Sequence, residues 1–309
     1  MPHPAPAAPS APQASPPAAD SGPDNPDSGR WPSSPTLREA QALATAAGLP
    51  VLEARMLLGH LTGYSRTQLI TRDDEALTPA RREALAALVA RRLAGEPMAY
   101  LLGEREFFGR VFRVTPDVLI PRPDTEIAVE AALARLHGRA RPHLLDMGTG
   151  SGILALTLAL ERPDAEVWAT DVSPAALAVA QDNAARLGAG NVRFLRSDWY
   201  AALPEAVRFD LIISNPPYIA AADPHLVQGD LRFEPVDALT DHGDGLGDLR
   251  TIAAGAPARL APGGWLLVEH GYDQGEAARG LLAAAGFAEI STARDLGGNE
   301  RCSGGRLAT

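Results

Sequence analysis

From Asp124 onward, short apolar segments alternate with segments of helical periodicity, and this alternation leaves few architectures open. Helix "TEIAVEAALARLHG" precedes the apolar run "HLLDMG". Then come "ILALTLALERP", "EVWATDV", "PAALAVAQDNAARLG", "VRFLRSD" and "FDLIISN", followed by an irregular stretch and "LRTIAAGAPARL", "GWLLVEH" and "EAARGLLAAAG". Two short C-terminal strands are expected after them. Strand-helix alternation of this kind predicts an α/β domain, a parallel sheet with helices on both faces. Ligands of such sheets lie at the carboxyl ends of the strands, so chemistry is sought there.

The chain before Asp124 reads differently. Residues 1–35 are mostly Pro, Ala, Ser, Gly and Asp, a composition that predicts a disordered tail, and with one arginine and three aspartates it does not resemble a transit peptide. Residues 36–104 predict a small helical domain: "TLREAQALATAAG", "PVLEARMLLGHLTG" and "TPARREALAALVARRLAG" each space apolar residues three to four apart and end on glycine. Thr78 and Pro79 suit a helix start. The domain's surface suits either a partner protein or a packing cap. Residues 105–123, with alternating apolar residues, Gly109 and several prolines, predict a hairpin or linker. The second domain is then 124–309.

The glycine loop "LLDMGTGSG" puts Asp146 at a strand end, with Met147, Gly148, Thr149, Gly150 and Gly152 leading into a helix. Glycines permit sharp turns and close ligand approach, and the helix start presents N–H groups. A dinucleotide fingerprint needs a further glycine where Ile153 stands. An acid at the loop entrance suits a ligand carrying ammonium and sulfonium charge better than a pyrophosphate, which points to S-adenosylmethionine. Asp171 ends the next strand, where an acid can accept from ribose hydroxyls. Asp198 and Trp199 follow a third, an acceptor for an exocyclic amine beside an aromatic surface. One acid at a strand end is ordinarily a cap or a solvated residue; three in succession form a pattern.

A fourth strand, "FDLIIS", ends in Asn215, Pro216, Pro217 and Tyr218. Residues before proline are held extended, and neither proline has an N–H, so the loop presents carbonyl oxygens without local donors. A carboxamide –NH2 has two hydrogens. The Asn215 oxygen can accept one and the Pro216 carbonyl the other, with Tyr218 against the planar group. The nitrogen then faces a methyl donor, and two acceptors favour its pyramidal form in the transition state.

These motifs, with "EREFFGRVFRVTPDVLIPRPDTE", "FEPVDAL", "GDGLGDLR", "VEHGYDQG" and "GGNER", resemble class I S-adenosylmethionine-dependent methyltransferases, and more closely the peptide chain release factor glutamine methyltransferases of bacteria. The resemblance covers about residues 36–309, and "LIPRPDTE" is its most specific part. It implies a Rossmann-like sheet of seven strands with the last antiparallel. It also implies that Asp146 to Gly150 line the methionine moiety, Asp171 holds the ribose and Trp199 lies at the adenine. Asn215 to Tyr218 would hold the substrate glutamine, with Asn215 also touching the cofactor. The implied substrate is the glutamine of a release factor Gly-Gly-Gln loop, methylated on its side-chain nitrogen, with the helical domain helping to dock it.

Two neighbouring activities share the tetrapeptide logic, methylation of a ribosomal protein L3 glutamine and of adenine N6. The second needs a phosphate-binding surface, against which the net charge of −10 counts. No apolar run is long enough for a membrane span, and the single Cys302 excludes a multi-cysteine metal site, which together fit a cytoplasmic protein without a metal. "DPHLVQGDLRFEPVDAL" reads as a substrate-facing loop or an ordinary surface loop, and His225, His242 and His270 receive no catalytic role.

Overall fold

A computed structural model describes residues 31–308, so most of the expected disordered tail, residues 1–30, lies outside the described residues. The described chain divides between Ala90 and Arg91 into two units.

In the first unit, α1 (Leu37–Ala46) opens on a capping box in which Thr36 and Glu39 each accept the other's backbone N–H. It is followed by α2 (Val51–Thr62), stopped by Gly63 at φ 74°, and by α3 (Arg66–Thr71), which starts on a second capping box, Ser65 and Gln68. Six residues are too few to show a helical period, so α3 had no signature in the apolar pattern. Thr78 caps α4 (Pro79–Leu93) by accepting from Arg81 N at 3.3 Å. Leu37, Ala40, Leu57, Leu58 and Leu85 form the apolar interior of this unit.

The second unit begins with the end of α4 and α5 (Met98–Leu102). The expected hairpin follows as β1 (Glu104–Phe107) and β2 (Arg110–Arg113), paired antiparallel through Phe108 and Gly109, both at positive φ. The segment after it, "LIPRP", runs to a short 3-10 turn at Pro123–Thr125 and then into α6 (Glu126–Arg135). The remaining elements are β3 (His143–Met147), α7 (Ile153–Glu161), β4 (Glu166–Asp171), α8 (Pro174–Leu187), β5 (Val192–Arg196), β6 (Phe209–Ser214), α9 (Gly247–Gly255), β7 (Leu260–Glu269), α10 (Gly275–Ala284), β8 (Phe287–Arg294) and β9 (Glu300–Leu307).

The sheet has seven strands in the order β5-β4-β3-β6-β7-β9-β8. The pairs from β5 to β7 are parallel, and β9 is antiparallel to both of its neighbours, the expected Rossmann-like arrangement. Both faces are covered. Leu144, Leu211, Ile213 and Leu267 point into one core with α6 and α7, while Leu145, Ile212, Leu266 and Val268 point into the other with α9 and α10. Because β4 and β5 extend the sheet to one side of β3 and β6 starts the other side, the chain reverses its direction of growth at β3. A crevice opens at such a point beyond the strands' carboxyl ends. No helix among the described residues is long and apolar enough to cross a membrane.

Candidate active site

Strand register places the site. Thr170, Met147, Ser214 and Val268 form one row across four neighbouring strands. The next residue in each is therefore Asp171, Gly148, Asn215 and Glu269, four groups delivered to one end of the sheet at one level. Three of them belong to the expected site. Glu269 does not.

The glycine loop is held from below by Asp146, which is 1% exposed. Its Oδ2 accepts from Thr149 Oγ1 at 2.6 Å and from Ala155 N at 3.0 Å. Ala155 is the third residue of α7, whose N-cap is Gly152 and has no side chain, so Asp146 performs the capping from the neighbouring strand. Asp146 Oδ1 is buried with no hydrogen-bond partner, and burial pushes the carboxyl up to about 7. Gly148, Gly150 and Gly152 all take positive φ. A Cβ on Gly152 would strike Leu156 at 2.9 Å, whereas one on Gly150 would meet nothing within 4 Å. The former is glycine for packing, the latter for an open cradle. Asn183, fully buried on α8, ties the loop to the hairpin by donating to Ser151 O and Arg113 O, both at 2.9 Å.

Asp171 accepts from Gly150 N and from Ser173 N, one on each oxygen at 2.9 Å, and burial raises its pKa. Each oxygen keeps a lone pair for a ligand hydroxyl. Trp199, half-buried at φ 43°, lies with its ring edge toward Gly148 and beside Asp248. Asp198 is exposed. Asp248, whose pKa is raised by burial and then by the charge of Asp241, was not singled out from sequence. Met147 has its side chain wholly in the core, and its carbonyl accepts from Ser214 Oγ at 2.7 Å, tying β3 to β6 immediately below the two loops.

Asn215 turns its amide nitrogen to Thr125 Oγ1, 3.3 Å away, and its oxygen accepts no hydrogen bond among the described residues. The carbonyl of buried Pro216 likewise accepts none. Thr125, fully buried in the "LIPRPDTE" segment, lies beside Glu269. Tyr218 is half-buried; its hydroxyl lies 3.5 Å from Glu269 Oε1, and burial raises its pKa. Pro217, between Pro216 and Tyr218 in the chain, is also half-buried. Glu269 itself is 2% exposed, its Oε2 has no partner, and burial pushes its carboxyl up to about 7.

Tyr218 is backed by a second glycine-rich loop. Asp241 accepts from Gly243 N and Gly245 N on one oxygen and from Gly247 N on the other, at 2.7 to 2.9 Å, and these amides hold its pKa down against the effect of burial. Gln274 Nε2 donates to both Tyr218 O at 2.9 Å and Gly245 O at 3.2 Å. The loop 222–239 is fastened at Glu234, which is 4% exposed, accepts from Ile120 N at 3.0 Å and pairs with Arg122. His270 is structural: buried, it bonds Gly271 O and Ser303 Oγ.

Comparison with known proteins adds the following. Residues 36–103 match the family described as PrmC N-terminal domain, and residues 124–244 match the methyltransferase small domain. The chain is 62% identical over 260 residues to a release factor glutamine methyltransferase of Bordetella pertussis, covering 84% of this chain and 96% of that one. It is 58% identical over 278 residues to the protein of that name from Burkholderia pseudomallei, with 88% and 98% covered. To the Neisseria gonorrhoeae protein it is 54% identical over 259 residues, with 84% and 94% covered.

Proposed function

The chain belongs to the release factor glutamine methyltransferases, and from that premise we propose that it methylates N5 of the glutamine in the Gly-Gly-Gln motif of peptide chain release factors, using S-adenosylmethionine. When bound, that cofactor supplies an electrophilic methyl carbon on a cationic sulfur. The residues present suit it: the cradle at Gly150 has room, and Asp146 carries a buried oxygen without a protein partner beneath the loop.

Asp171 offers its remaining lone pairs to the ribose hydroxyls, and Trp199 offers its face to the adenine, with Asp198 and Asp248 beside it as acceptors. Residues 146–150 run under the methionine portion. Asn215 Oδ1 and Pro216 O accept the two hydrogens of the substrate carboxamide, Pro217 keeps the turn extended, and Tyr218 packs on the amide plane. Held this way, the nitrogen is aligned with the methyl carbon, and positioning supplies much of the rate. No side chain needs to form a covalent intermediate. We assign the helical region 36–104 to docking the release factor, 105–123 to the connection and 124–309 to transfer.

The observation that supports this reading best is the pair of unpartnered acceptors, Asn215 Oδ1 and Pro216 O, on adjacent residues at the end of β6. Purified release factor and, in parallel, ribosomes lacking the mark are incubated with the protein and labelled cofactor, and the modified atom is located by mass spectrometry. Label on the Gly-Gly-Gln glutamine is expected, and Asn215→Ala should abolish it while keeping most cofactor affinity. Label on ribosomal protein L3 instead would overturn the assignment.

A further inference from the structure

We propose that Gln274, at the N-cap of α10, is a positioning residue for methyl transfer. Its carboxamide fixes the main chain of the turn Pro216, Pro217 and Tyr218, and with it the carbonyl and the ring that receive the substrate. This inference rests on the function proposed above and deepens it.

The turn has little else to hold it. Pro216 and Pro217 have no N–H, the carbonyls of both accept no hydrogen bond, and the Tyr218 N–H donates none among the described residues. Main-chain pairing resumes at Ile219, whose N–H donates to Leu239 O at 2.9 Å. At the far end of the tyrosine, the hydroxyl lies 3.5 Å from Glu269 Oε1, longer than a firm O–H···O bond. Between these stands one short bond, from Gln274 Nε2 to Tyr218 O at 2.9 Å. Among the described residues it is the only hydrogen bond made by the main chain of residues 216–218. A free Pro216 carbonyl is what the substrate needs, so the turn has to be fastened one residue further on.

A carboxamide suits this position because the groups around it ask for both an acceptor and a pair of donors. Gln274 Oε1 accepts from Gly271 N at 2.8 Å, and the two hydrogens on Nε2 go to Tyr218 O and, at 3.2 Å, to Gly245 O. The Gly271 N–H settles which end of the amide is oxygen. One side chain thereby joins three segments: the loop after β7, the turn after β6 and the glycine-rich loop around Asp241. Its own base is fixed. Gln274 N donates to Gly271 O at 3.0 Å, and Ala278 N donates to Gln274 O at 2.9 Å. The next residue, Gly275, is buried where a Cβ would overlap the Glu300 carboxylate. The segment "VEHGYDQG" thus carries the fastening point of the turn after β6.

The full-length protein, release factor and S-adenosylmethionine are assayed for kcat and KM, with cofactor affinity and melting temperature measured in parallel. Gln274→Glu keeps the shape and the bond from Gly271 N but sets a second oxygen against two carbonyls. Its kcat should fall about tenfold or more, with cofactor affinity within about twofold of wild type. Gln274→Met keeps the length without the polar atoms and should lose about three- to tenfold in kcat. Because Gln274 acts through Tyr218, the combined kcat loss of either variant with Tyr218→Ala should fall short of the product of the single losses. A side chain that only stabilises the fold would lower the melting temperature and leave kcat alone. Wild-type kcat in Gln274→Met therefore refutes the proposal, as do losses that multiply with Tyr218→Ala or that fall equally on cofactor affinity. Should Gln274→Glu fail to fold, Gln274→Met and its double variant decide. A wild-type protein that leaves the release factor unmethylated refutes the assigned function and this proposal together, whereas active wild type beside a Gln274→Met of unchanged kcat refutes this proposal alone.

Discussion

Asp171 at the end of β4 accepts the backbone N–H of Gly150 in the loop after β3, at 2.9 Å. The carboxylate assigned to the cofactor's ribose thus also fixes the loop assigned to its methionine portion, and the two halves of the cofactor site form one unit.

Asp171→Ala should therefore weaken S-adenosylmethionine binding by more than the loss of a single acceptor. It also releases Gly150 N and Ser173 N, and a loss of about 10- to 100-fold in affinity is expected. Asp171→Asn keeps acceptor capacity and should lose less. Titration calorimetry checks both, and an alanine variant of unchanged affinity would remove Asp171 from the site.

Asp146 makes a prediction about stability. Its folded pKa, up to about 7 from the model-peptide value of 3.8, is raised by burial. The folded state therefore binds more protons than the unfolded state between those two values. Its contribution is fully present below about pH 4 and is lost as pH rises to about 7. Glu269 acts in the same direction, and buried His270, with its pKa lowered, in the opposite one. The informative quantity is thus the difference between Asp146→Asn and wild type in urea unfolding from about pH 5 to 8. The variant should gain relative stability as pH rises while binding cofactor less well. A pH-independent difference would mean that Asp146 is already ionised in the folded protein.

Glu234 fastens the loop 222–239 to the "LIPRP" segment through Ile120 N and Arg122. Glu234→Ala leaves a guanidinium and an amide without their partner and should cost about 3–5 kcal/mol. Arg122→Ala should cost a similar amount by stranding the carboxylate, and the double variant should cost less than the sum of the two. Denaturant midpoints decide this, and strict additivity would show that the pair does not act as a unit.

Two glycines of similar backbone conformation should fail in different ways. Gly245 has φ 79°, and a Cβ there would lie 2.4 Å from Tyr218 O. Gly245→Ala is expected to displace Tyr218, costing about 1–3 kcal/mol and slowing transfer. Gly150 has φ 54° and open space around it, so Gly150→Ala should cost only about 1 kcal/mol of backbone strain. Its methyl group occupies the cradle, so the loss should appear in cofactor affinity. Thermal melts with binding isotherms separate the two outcomes; matching phenotypes would contradict the division of roles.

The strand ends were readable because each combines an apolar run with a change of residue class, and "NPPY" because two consecutive prolines remove donors wherever they occur. The alternation from Asp124 likewise announced a parallel sheet with helices on both faces, and the family resemblance its seven strands with the last antiparallel. What sequence did not show depends on strand order. Thr125 and Asn215 are 90 residues apart, and Tyr218 and Glu269 are 51 apart. Only the placement of β7 beside β6 and of the 3-10 turn beneath both brings these side chains together. Asp146 was read as facing a ligand's positive charge. The fold also gives it a duty that spacing could not reveal, because a glycine N-cap leaves α7 without a cap of its own.

Strand β9 lies between β7 and β8 in space although it follows both in sequence. The edges of β7 and β8 that face each other across the gap can be filled only once residues 300–307 have been made. Arg301, which holds Asp124 next to Thr125, arrives with that same stretch. The sheet therefore closes around its last-made strand, and the Arg301 contact beside Thr125 closes with it.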